Sequence, residues 1–363
     1  MQDTRRHVIE YRTPIGEMDS IEFNIPYYYE PTNILGSGSY GTVLAARCTS
    51  TNTDVAIKKI SLNGNPIFCQ RTIREIKLLL HLHHPNIINV YEVCLPDDPN
   101  NISDVYLVEE LVQNDLSHII RNPKPIPENM MQFLTYQLLL GVHAMHSANV
   151  LHRDLKPANV LVNNDCSLKI CDFGLARPIF EQEGRDESLT QYVATRWYRA
   201  PELLHSSTAY STAIDMWSVG CILAEMMGGK PLCPGKDYVD QMKKCLKVSG
   251  GLTEENMMSI QNSSSKNFIQ TICPKSTVDL AQLYPHMPPL AIDLLKRMLT
   301  FNPKKRISEH DAICHPWLAS VFDYRDVISL PQVSPEFFQF DKDLETLDSS
   351  IHFAVLCREL SSA

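Results

Sequence analysis

Several short segments of the chain contain residue types that could bind a phosphorylated nucleotide and a divalent cation. Lys58 ends the apolar run VAIK, and Glu75 follows in the next predicted helix, where its carboxylate could pair with the lysine. The segments HRDLKPANV and CDFG then supply Asp154, Asn159 and Asp172. Carboxylate and amide oxygens are ligands that magnesium prefers, and a carboxylate can also accept a proton in phosphoryl transfer. Together these residues indicate phosphoryl-transfer chemistry.

A glycine-rich segment precedes these residues. Gly36, Gly38 and Gly41, followed by Val43, form the pattern G-x-G-x-x-G-x-V. Such a pattern also fits an ordinary hairpin, and a dinucleotide-binding fingerprint would need a helix directly after the glycines. The following TVLAARC predicts a strand instead. With Lys58 downstream, a hairpin that covers phosphates is favoured.

The elements that must position these residues divide into two groups. NILGSGSYGTVLAARC, TDVAIKKISL and DVYLVEEL predict strands, and RTIREIKLLLHL predicts a helix between them. FLTYQLLLGVHAMHSA, STAIDMWSVGCILAEMM and PPLAIDLLKRML are long apolar patterns with helical spacing. The sequence therefore predicts an α+β protein with a β-rich N-terminal unit and a mainly helical C-terminal unit.

The composition is that of a globular protein. The 363 residues, 44% hydrophobic and 21% charged, suffice for two lobes. A net charge of −9 argues against a general nucleic-acid-binding surface. The 11 cysteines form no C-x-x-C pair, which favours reduced thiols and a cytosolic or nuclear compartment. No segment approaches roughly 18 uninterrupted apolar residues, so we expect neither a signal peptide nor a membrane span.

The order of the motifs, which ends with APE at 200–202, resembles the eukaryotic protein kinases and, within them, the mitogen-activated protein kinases. The resemblance extends from about residue 22 into the tail. It implies a bilobal kinase fold that binds ATP and Mg²⁺ in the cleft and transfers the γ-phosphate to serine or threonine. It assigns catalysis to Lys58, Glu75, Asp154 and Lys156, Mg²⁺ to Asn159 and Asp172, and ATP contacts to Gly36, Gly38, Gly41, Val43, Ala56, Lys58, Glu110, Val112 and Asp115.

Thr190 and Tyr192, one residue apart, lie between DFG and APE, where the resemblance implies activation by phosphorylation of both. A phosphate adds about −1.5 to −2 charge and needs cationic partners to order a loop. The resemblance places phospho-Thr190 on Arg74, Arg153 and Arg177, and phospho-Tyr192 on Arg196 and Arg199. The alternative is that these arginines are solvated surface charges. Gln191 departs from the glutamate commonest in the family, which leaves the upstream kinase open.

The resemblance also implies substrates and partners. VATRWYRAPE is similar to the family's pocket for proline after the phosphoacceptor, so Ser-Pro and Thr-Pro sites on proteins are expected. Expected partners are an upstream dual-specificity MAP kinase kinase, phosphatases, and substrates with basic docking motifs. The protein is expected to be a monomer that binds neither nucleic acid nor membranes. Asp323, Asp326 and Asp165 are the candidate docking carboxylates. Arg325 interrupts them and should weaken docking, and a solvated helix end is the alternative.

Two other functions are compatible with parts of the sequence. A catalytically weak scaffold would keep the kinase fold and act by docking partners, but the presence of Lys58, Asp154 and Asp172 argues against it. A cyclin-dependent type of kinase is opposed by the Thr-x-Tyr pair, by an insert near 244–282 and by FFQFD in the tail.

We expect an N-terminal extension over residues 1–21, a kinase N-lobe over 22–110, a C-lobe over 111–326 and a tail over 327–363 that packs on the lobes. Within the insert near 244–282, NSSSK predicts a loop. The resemblance also implies that Glu202 pairs with Arg306 and that Asp215 braces the catalytic loop.

Glu109 has two interpretations. Counting back from Asp115, Glu110 to Val112 form the hinge that meets adenine, and Glu109 falls at the gatekeeper position behind it. A carboxylate there is costly unless paired, so we expect it to approach Lys58, compete with Glu75 and exclude inhibitors that need an apolar back pocket. The alternative is a one-residue misalignment that places Glu109 in solvent. Cys171, next to Asp172, is expected to be reachable from the cleft.

Overall fold

The computed structural model describes residues 4–12, 18–38, 41–62, 66–94, 104–179, 196–205, 211–260 and 262–340. The strands are β1 (Thr4–Arg12), β2 (Met18–Pro26), β3 (Tyr29–Gly38), β4 (Gly41–Cys48), β5 (Thr53–Ser61), β6 (Val90–Cys94), β7 (Asp104–Glu110), β8 (Asn114–Asp115), β9 (Val150–Leu151), β10 (Val160–Val162), β11 (Leu168–Ile170) and β12 (Arg177–Pro178). The helices are α1 (Pro66–His81), α2 (Leu116–Ile120), α3 (Glu128–Ser147), α4 (Pro201–His205), α5 (Ala213–Gly228), α6 (Tyr238–Val248), α7 (Glu254–Ser259), α8 (Ser263–Ile272), α9 (Leu280–Leu283), α10 (Pro289–Met298) and α11 (Glu309–Ile313).

The N-terminal lobe is built on a five-stranded antiparallel sheet. Its strand order is β3-β4-β5-β7-β6, so β5 and β7 lie inside the sheet with a neighbour on each side. One face of this sheet buries Leu44, Ile57 and Val108 together with Phe23 and Ile25. Helix α1 packs with the second, larger core instead. This arrangement fixes the relative register of Lys58 on β5 and Glu109 on β7.

The C-terminal lobe is mainly helical. Helices α3 and α5 are apolar on nearly every face and bury 13 and 15 of their residues, respectively, as expected for helices at the centre of a core. Three short antiparallel strands, β8, β10 and β11, lie where the two lobes meet. The predicted α+β architecture, with a β-rich N-terminal lobe and a mainly helical C-terminal lobe, is confirmed. Among the described residues, no helix combines the length and apolarity that crossing a bilayer requires.

Two segments differ from simple extrapolation of the sequence patterns. β1 and β2 form an antiparallel hairpin that docks on the N-lobe, where the Lys59 Nζ donates to the Glu22 carbonyl at 2.7 Å. The hairpin's second strand crosses the boundary expected at residue 21. The prediction of a loop at NSSSK is wrong: helix α8 starts there, because the Asn262 side chain caps Ser265 N and Ile269 is fully buried.

Residues 329–340 run from the C-lobe to the N-lobe, and we call this segment the strap. Near its start, Val333 N donates to the Ala148 carbonyl at 3.0 Å, just after α3. Near its end, the rings of Phe337 and Phe340 each lie 5.0 Å from the ammonium of Lys77 on α1. The tail therefore packs on both lobes as far as residue 340, and its expected course over 341–363 lies outside the described residues.

Candidate active site

A cleft of about 640 Å³ lies between the lobes. This volume is in the range of small-molecule sites. Its walls include the predicted residues Gly36, Gly41, Val43, Ala56, Lys58, Glu75, Glu110, Val112, Asp115, Asn159 and Asp172. Most of the residues assigned to ATP and metal thus surround one cavity, although they come from segments far apart in the chain.

The glycine segment forms the turn of the β3–β4 hairpin over this cleft. Gly38 pairs with Gly41 at its tip, and Gly36 pairs with Val43 below. Gly41 has a φ of +132°, and a Cβ placed there would lie 1.9 Å from the Lys59 carbonyl oxygen. Only glycine fits such a position without moving the backbone. The predicted hairpin is therefore present and Gly36 and Gly41 line the cleft, while its role in covering phosphates stays a prediction.

Lys58 and Glu75 form a buried ion pair at the inner wall. Nζ lies 2.6 Å from the Glu75 Oε1 atom, and the side chains are 13% and 6% exposed. Burial alone would lower the pKa of Lys58, but the carboxylates of Glu75, Asp172 and Glu109 hold that pKa well above its usual value. The lysine therefore stays charged, as a group that binds phosphate oxygens must.

Glu109 lies at the back of the cleft, which excludes the solvent alternative. It pairs with Ala56 on β5 and with Val90 on β6, and it is 9% exposed. Burial raises the pKa of its carboxyl to about 8; Lys58 opposes this shift, and Glu75 and Asp172 reinforce it. The ammonium of Lys58 bonds to Glu75, so the expected competition by Glu109 does not displace that pair.

The catalytic loop holds three polar side chains together. Lys156 Nζ lies 2.6 Å from Oδ2 of Asp154, and Asn159 Nδ2 donates to the same oxygen at 3.2 Å and to the Asp154 carbonyl at 2.9 Å. Because the Asn159 nitrogen faces Asp154, its amide oxygen is left as an acceptor toward the cleft. With the Asp172 carboxylate on the same wall, the residues present fit a hard divalent cation.

Asp215 braces this loop from below, as the resemblance implies. Its two carboxylate oxygens accept from the backbone nitrogens of His152 and Arg153, each at 2.9 Å. Arg153 has a φ of +69°, an unfavourable backbone conformation for a side chain of this type that these two bonds help to hold. Asp215 also contacts the Nε2 atom of His146 at 3.0 Å.

Asp172 and Cys171 follow β11 at the floor of the cleft. Asp172 has a φ of +66°, and Cys171 N donates to the Asn159 carbonyl at 3.0 Å, which ties the two candidate metal ligands together. Cys171 lines the cleft, as expected. Burial raises the pKa of its thiol well above the usual value, so it is held as a thiol rather than a thiolate.

The Glu202–Arg306 pair links α4 to the loop after α10. Arg306 bonds both Glu202 oxygens, at 2.6 and 2.9 Å, and its other donors reach the carbonyls of Ala213, Phe301 and Thr300. All five N–H donors of the guanidinium are thereby used. Both side chains are buried, so this pair anchors the C-lobe as predicted.

The arginines assigned to phosphates lie in described segments before and after residues 180–195. Arg74 is buried and donates to the Gly174 carbonyl at 2.9 Å, and Arg177 pairs with Leu151 in the short β12–β9 ladder, near Arg153. Arg196 donates to the Lys236 carbonyl at 3.0 Å, and Arg199 is partly buried next to it. Thr190, Gln191 and Tyr192 lie outside the described residues, so their phosphorylation stays a prediction.

The candidate docking carboxylates lie beside α3, and their docking role stays a prediction. Tyr136 OH donates to Oδ2 of Asp326 at 3.2 Å. The adjoining Gln137 Nε2 donates to the carbonyl of Cys166, the residue after Asp165, at 2.8 Å. Both Asp323 oxygens accept from the guanidinium of Arg325, whose hydrogen bond pulls the Asp323 pKa down to about 2. The interruption by Arg325 is therefore an intramolecular ion pair.

Sequence reasoning missed two kinds of residue. Leu161, His118 and Gln113 also line the cleft, and the alternation of buried and cleft-facing residues in β10 could have indicated Leu161. His146 bonds Asp215 through one ring nitrogen and approaches Glu309 at 3.3 Å through the other. Nothing in the local sequence around Glu309 indicates this contact.

Comparison with known proteins agrees with this geometry. Residues 29–318 match the protein kinase domain family. The chain is 42% identical to mitogen-activated protein kinase 2 of Pneumocystis carinii, over 94% of this chain and 97% of that protein. It is 42% identical to mitogen-activated protein kinase spk1 of Schizosaccharomyces pombe, over 94% and 91%, and 46% identical to mitogen-activated protein kinase 7 of Arabidopsis thaliana, over 83% and 81%.

The scaffold alternative is not supported. Lys58, Glu75, Asn159 and Asp172 line one cleft, and Asp154, which is bonded to Lys156, accepts a hydrogen bond from Asn159. A protein kinase domain uses ATP and a divalent metal ion. The chain therefore belongs to the mitogen-activated protein kinase family and is an ATP-dependent serine/threonine protein kinase of that type.

Proposed function

We propose that this enzyme transfers the γ-phosphate of MgATP to serine or threonine followed by proline in proteins, and that phosphorylation of both Thr190 and Tyr192 activates it. The observation that carries the proposal is that Lys58, Asn159 and Asp172 line one cleft, and that Asn159 donates to the Asp154 carboxylate at 3.2 Å. We assign this cleft to the junction of an N-lobe at 22–110 and a C-lobe at 111–326.

The chain's own residues supply orientation, charge and a proton acceptor. Asp154 accepts the proton of the substrate hydroxyl, and Lys156 at 2.6 Å stabilises the negative charge that develops nearby. Lys58, held by Glu75, orients the phosphates. Asn159 and Asp172 would hold Mg²⁺, which when bound neutralises phosphate charge in the transition state.

The described arginines support the proposed switch. Arg74 lies on α1 one residue before Glu75, Arg153 lies in the catalytic loop, and Arg177 follows DFG. A phosphate on Thr190 that bonded all three would tie the helix, the loop and the segment together. Such cross-linking would favour the helix position in which Glu75 meets Lys58.

The hydrogen bonds of residues 196–200 support the proposed preference for proline. Trp197 Nε1 donates to the Gly235 carbonyl at 3.1 Å, and the Tyr198 hydroxyl donates to Glu225 at 2.6 Å. Ser218 donates to the Tyr198 carbonyl at 2.8 Å. These bonds fix the backbone just before APE, where a proline after the phosphoacceptor would rest.

For partners, we propose an upstream dual-specificity MAP kinase kinase, phosphatases and basic docking peptides that bind Asp323, Asp326 and Asp165. Asp326 and Asp165 are exposed. A peptide must displace Arg325 from Asp323, which supports weaker docking than at an unobstructed carboxylate.

We propose that the enzyme acts as a monomer in the cytoplasm and the nucleus. Every cysteine among the described residues is a free thiol, which is typical of reducing compartments.

The experiment compares wild type, Thr190→Ala and Tyr192→Phe after treatment with an active dual-specificity MAP kinase kinase. We expect each variant to lose about 100-fold or more in turnover, because each lost phosphate removes several charge-assisted bonds worth roughly 1.5–3 kcal/mol apiece. Thr271→Ala, at an exposed threonine on α8, is the matched control and should retain wild-type turnover.

Two peptides that differ only in Ser-Pro or Ser-Ala test the substrate assignment in the same assay. We expect the activated enzyme to phosphorylate the Ser-Pro peptide in preference. Wild-type rates in Thr190→Ala and Tyr192→Phe would refute the switch, and equal rates on the two peptides would refute proline direction.

A further inference from the structure

Glu109 occupies an unusual place for an acidic side chain. It is the next-to-last residue of β7, inside the five-stranded sheet, and its neighbours across the sheet are Ala56 and Val90. Its side chain nevertheless lines the nucleotide cleft. A ligand that fills the cleft to its inner end must therefore meet this carboxyl group.

The groups around Glu109 are mostly acidic. Glu75 on α1, Asp172 after β11 and Cys171 line the same cavity, and the carboxyl groups of Glu75 and Asp172 are close enough to Glu109 to interact with it electrostatically. The ammonium of Lys58 on β5 is already bonded to Glu75 at 2.6 Å. Behind them, the His152 ring contacts the Cys171 carbonyl. Within this inner wall, three carboxyl groups thus face one lysine.

The neighbouring glutamate is in a different situation. Glu110, one residue further along β7, accepts from Lys169 Nζ and from Asn89 N, both at 2.8 Å. For Glu109, the described residues supply no hydrogen bond and no ion pair within 4 Å. A buried carboxyl without a donor is unfavourable, so an incoming donor would be stabilised there.

We propose that Glu109 makes the inner end of the cleft a binding site for an ammonium or amino group, and so determines which ATP-site ligands this kinase accepts. The class of ligand is a flat heteroaromatic compound that occupies the adenine position and directs a cationic substituent past Ala56. The proposal rests on the assignment of the cleft to ATP.

The test uses two ATP-site compounds that differ only in this substituent, ethyl in one and aminomethyl in the other. The two groups have nearly the same size, so the comparison isolates charge and hydrogen bonding. Dissociation constants are measured by calorimetry at a pH above the pKa of Glu109. Displacement of both compounds by ATP is measured in parallel.

We expect wild type to bind the aminomethyl compound about 10- to 100-fold more tightly than the ethyl compound, the range for one charge-assisted bond. In Glu109→Gln this ratio should fall to nearly one, and in Glu109→Leu the ethyl compound should bind more tightly. Glu30→Gln removes the same charge from an exposed position on β3 and should keep the wild-type ratio.

A wild-type preference for the ethyl compound, or a ratio that persists in Glu109→Gln, would overturn the proposal. The wild-type measurement decides the sign even if a variant fails to fold. Compounds that bind but are not displaced by ATP would refute the cleft assignment itself. Displacement without discrimination would refute only the role of Glu109.

Discussion

Two buried regions of the molecule treat charge in opposite ways. In the C-lobe, Arg306 uses every donor on Glu202 and three carbonyls, and its guanidinium lies 5.2 Å from the centre of the Trp217 ring. At the inner wall of the cleft, Lys58 is surrounded by Glu75, Asp172 and Glu109 but bonds only one of them in the described structure.

The difference separates charge used for structure from charge used for binding. A fully bonded pair has nothing left to offer a ligand, and breaking it mainly affects folding. A cleft wall with more carboxylates than cations is less stable by itself. Cations and hydrogen-bond donors of a bound ligand can pair with these carboxylates and stabilise the wall. Catalytic sites often combine local instability with binding capacity in this way.

Removing the cation from each region tests this comparison most strongly. Arg306→Met leaves Glu202 buried and unpaired, so the unfolding free energy should fall by about 3–5 kcal/mol. Lys58→Met should instead lower kcat/KM by about 100- to 1,000-fold with a smaller loss of stability, because cleft carboxyls can take up protons. Denaturant unfolding and steady-state kinetics measure both effects. Equal losses of stability in the two variants would contradict the comparison.

Glu109→Gln should stabilise the protein at high pH. Burial raises the pKa of Glu109 from 4.5 to about 8 in the folded state, so this group's contribution is fully present below pH 4.5 and is lost as pH rises through 8. The glutamine side chain carries no charge and so does not lose this contribution; above pH 8 the variant should be more stable by about 5 kcal/mol. Urea unfolding across this pH range measures the difference. A constant difference at all pH values would show that packing, not charge, is responsible.

His146 should behave as a charge used for structure, because its effect should appear in the stability of the fold. Although its burial disfavours the charged form, Asp215 and Glu309 raise its pKa from 6.5 to about 9. Its contribution is therefore fully present below pH 6.5 and is lost as pH rises through 9, by about 3 kcal/mol in total. Relative to wild type, His146→Gln should lack this pH dependence. If both proteins show the same pH profile of stability between these values, the imidazolium does not carry the effect.

The sequence predicts the cleft well because its chemistry is carried by short motifs. Lys58, Glu75, Asp154 and Asp172 come from separate motifs, and the roles expected for Lys58 with Glu75 and for Asp215 are geometrically satisfied. A motif restricts the residue types at a few positions, so the roles of those residues can be predicted even where the surrounding sequence differs.

Other features depend on contacts that sequence spacing does not encode. The position of Glu109 follows from the register of β5 against β7, where Ala56 is its partner. A one-residue shift in this register would have turned the Glu109 side chain to the opposite face of the sheet. Helix α8 forms in a serine-rich stretch because Asn262 caps it and Ile269 is buried, not because its residues favour helix. The His146–Glu309 contact joins residues far apart in the chain.

The strap gives the molecule a mechanical property. The lobes are connected by the chain after β7 and by hydrogen bonds of the Ile170 backbone with Asn86 and Ile88. Residues 329–340 join them again through Ala148 on one side and Lys77 on the other. Each added connection removes directions in which one rigid lobe can move against the other. The strap should therefore restrict the directions in which the cleft opens and closes during turnover.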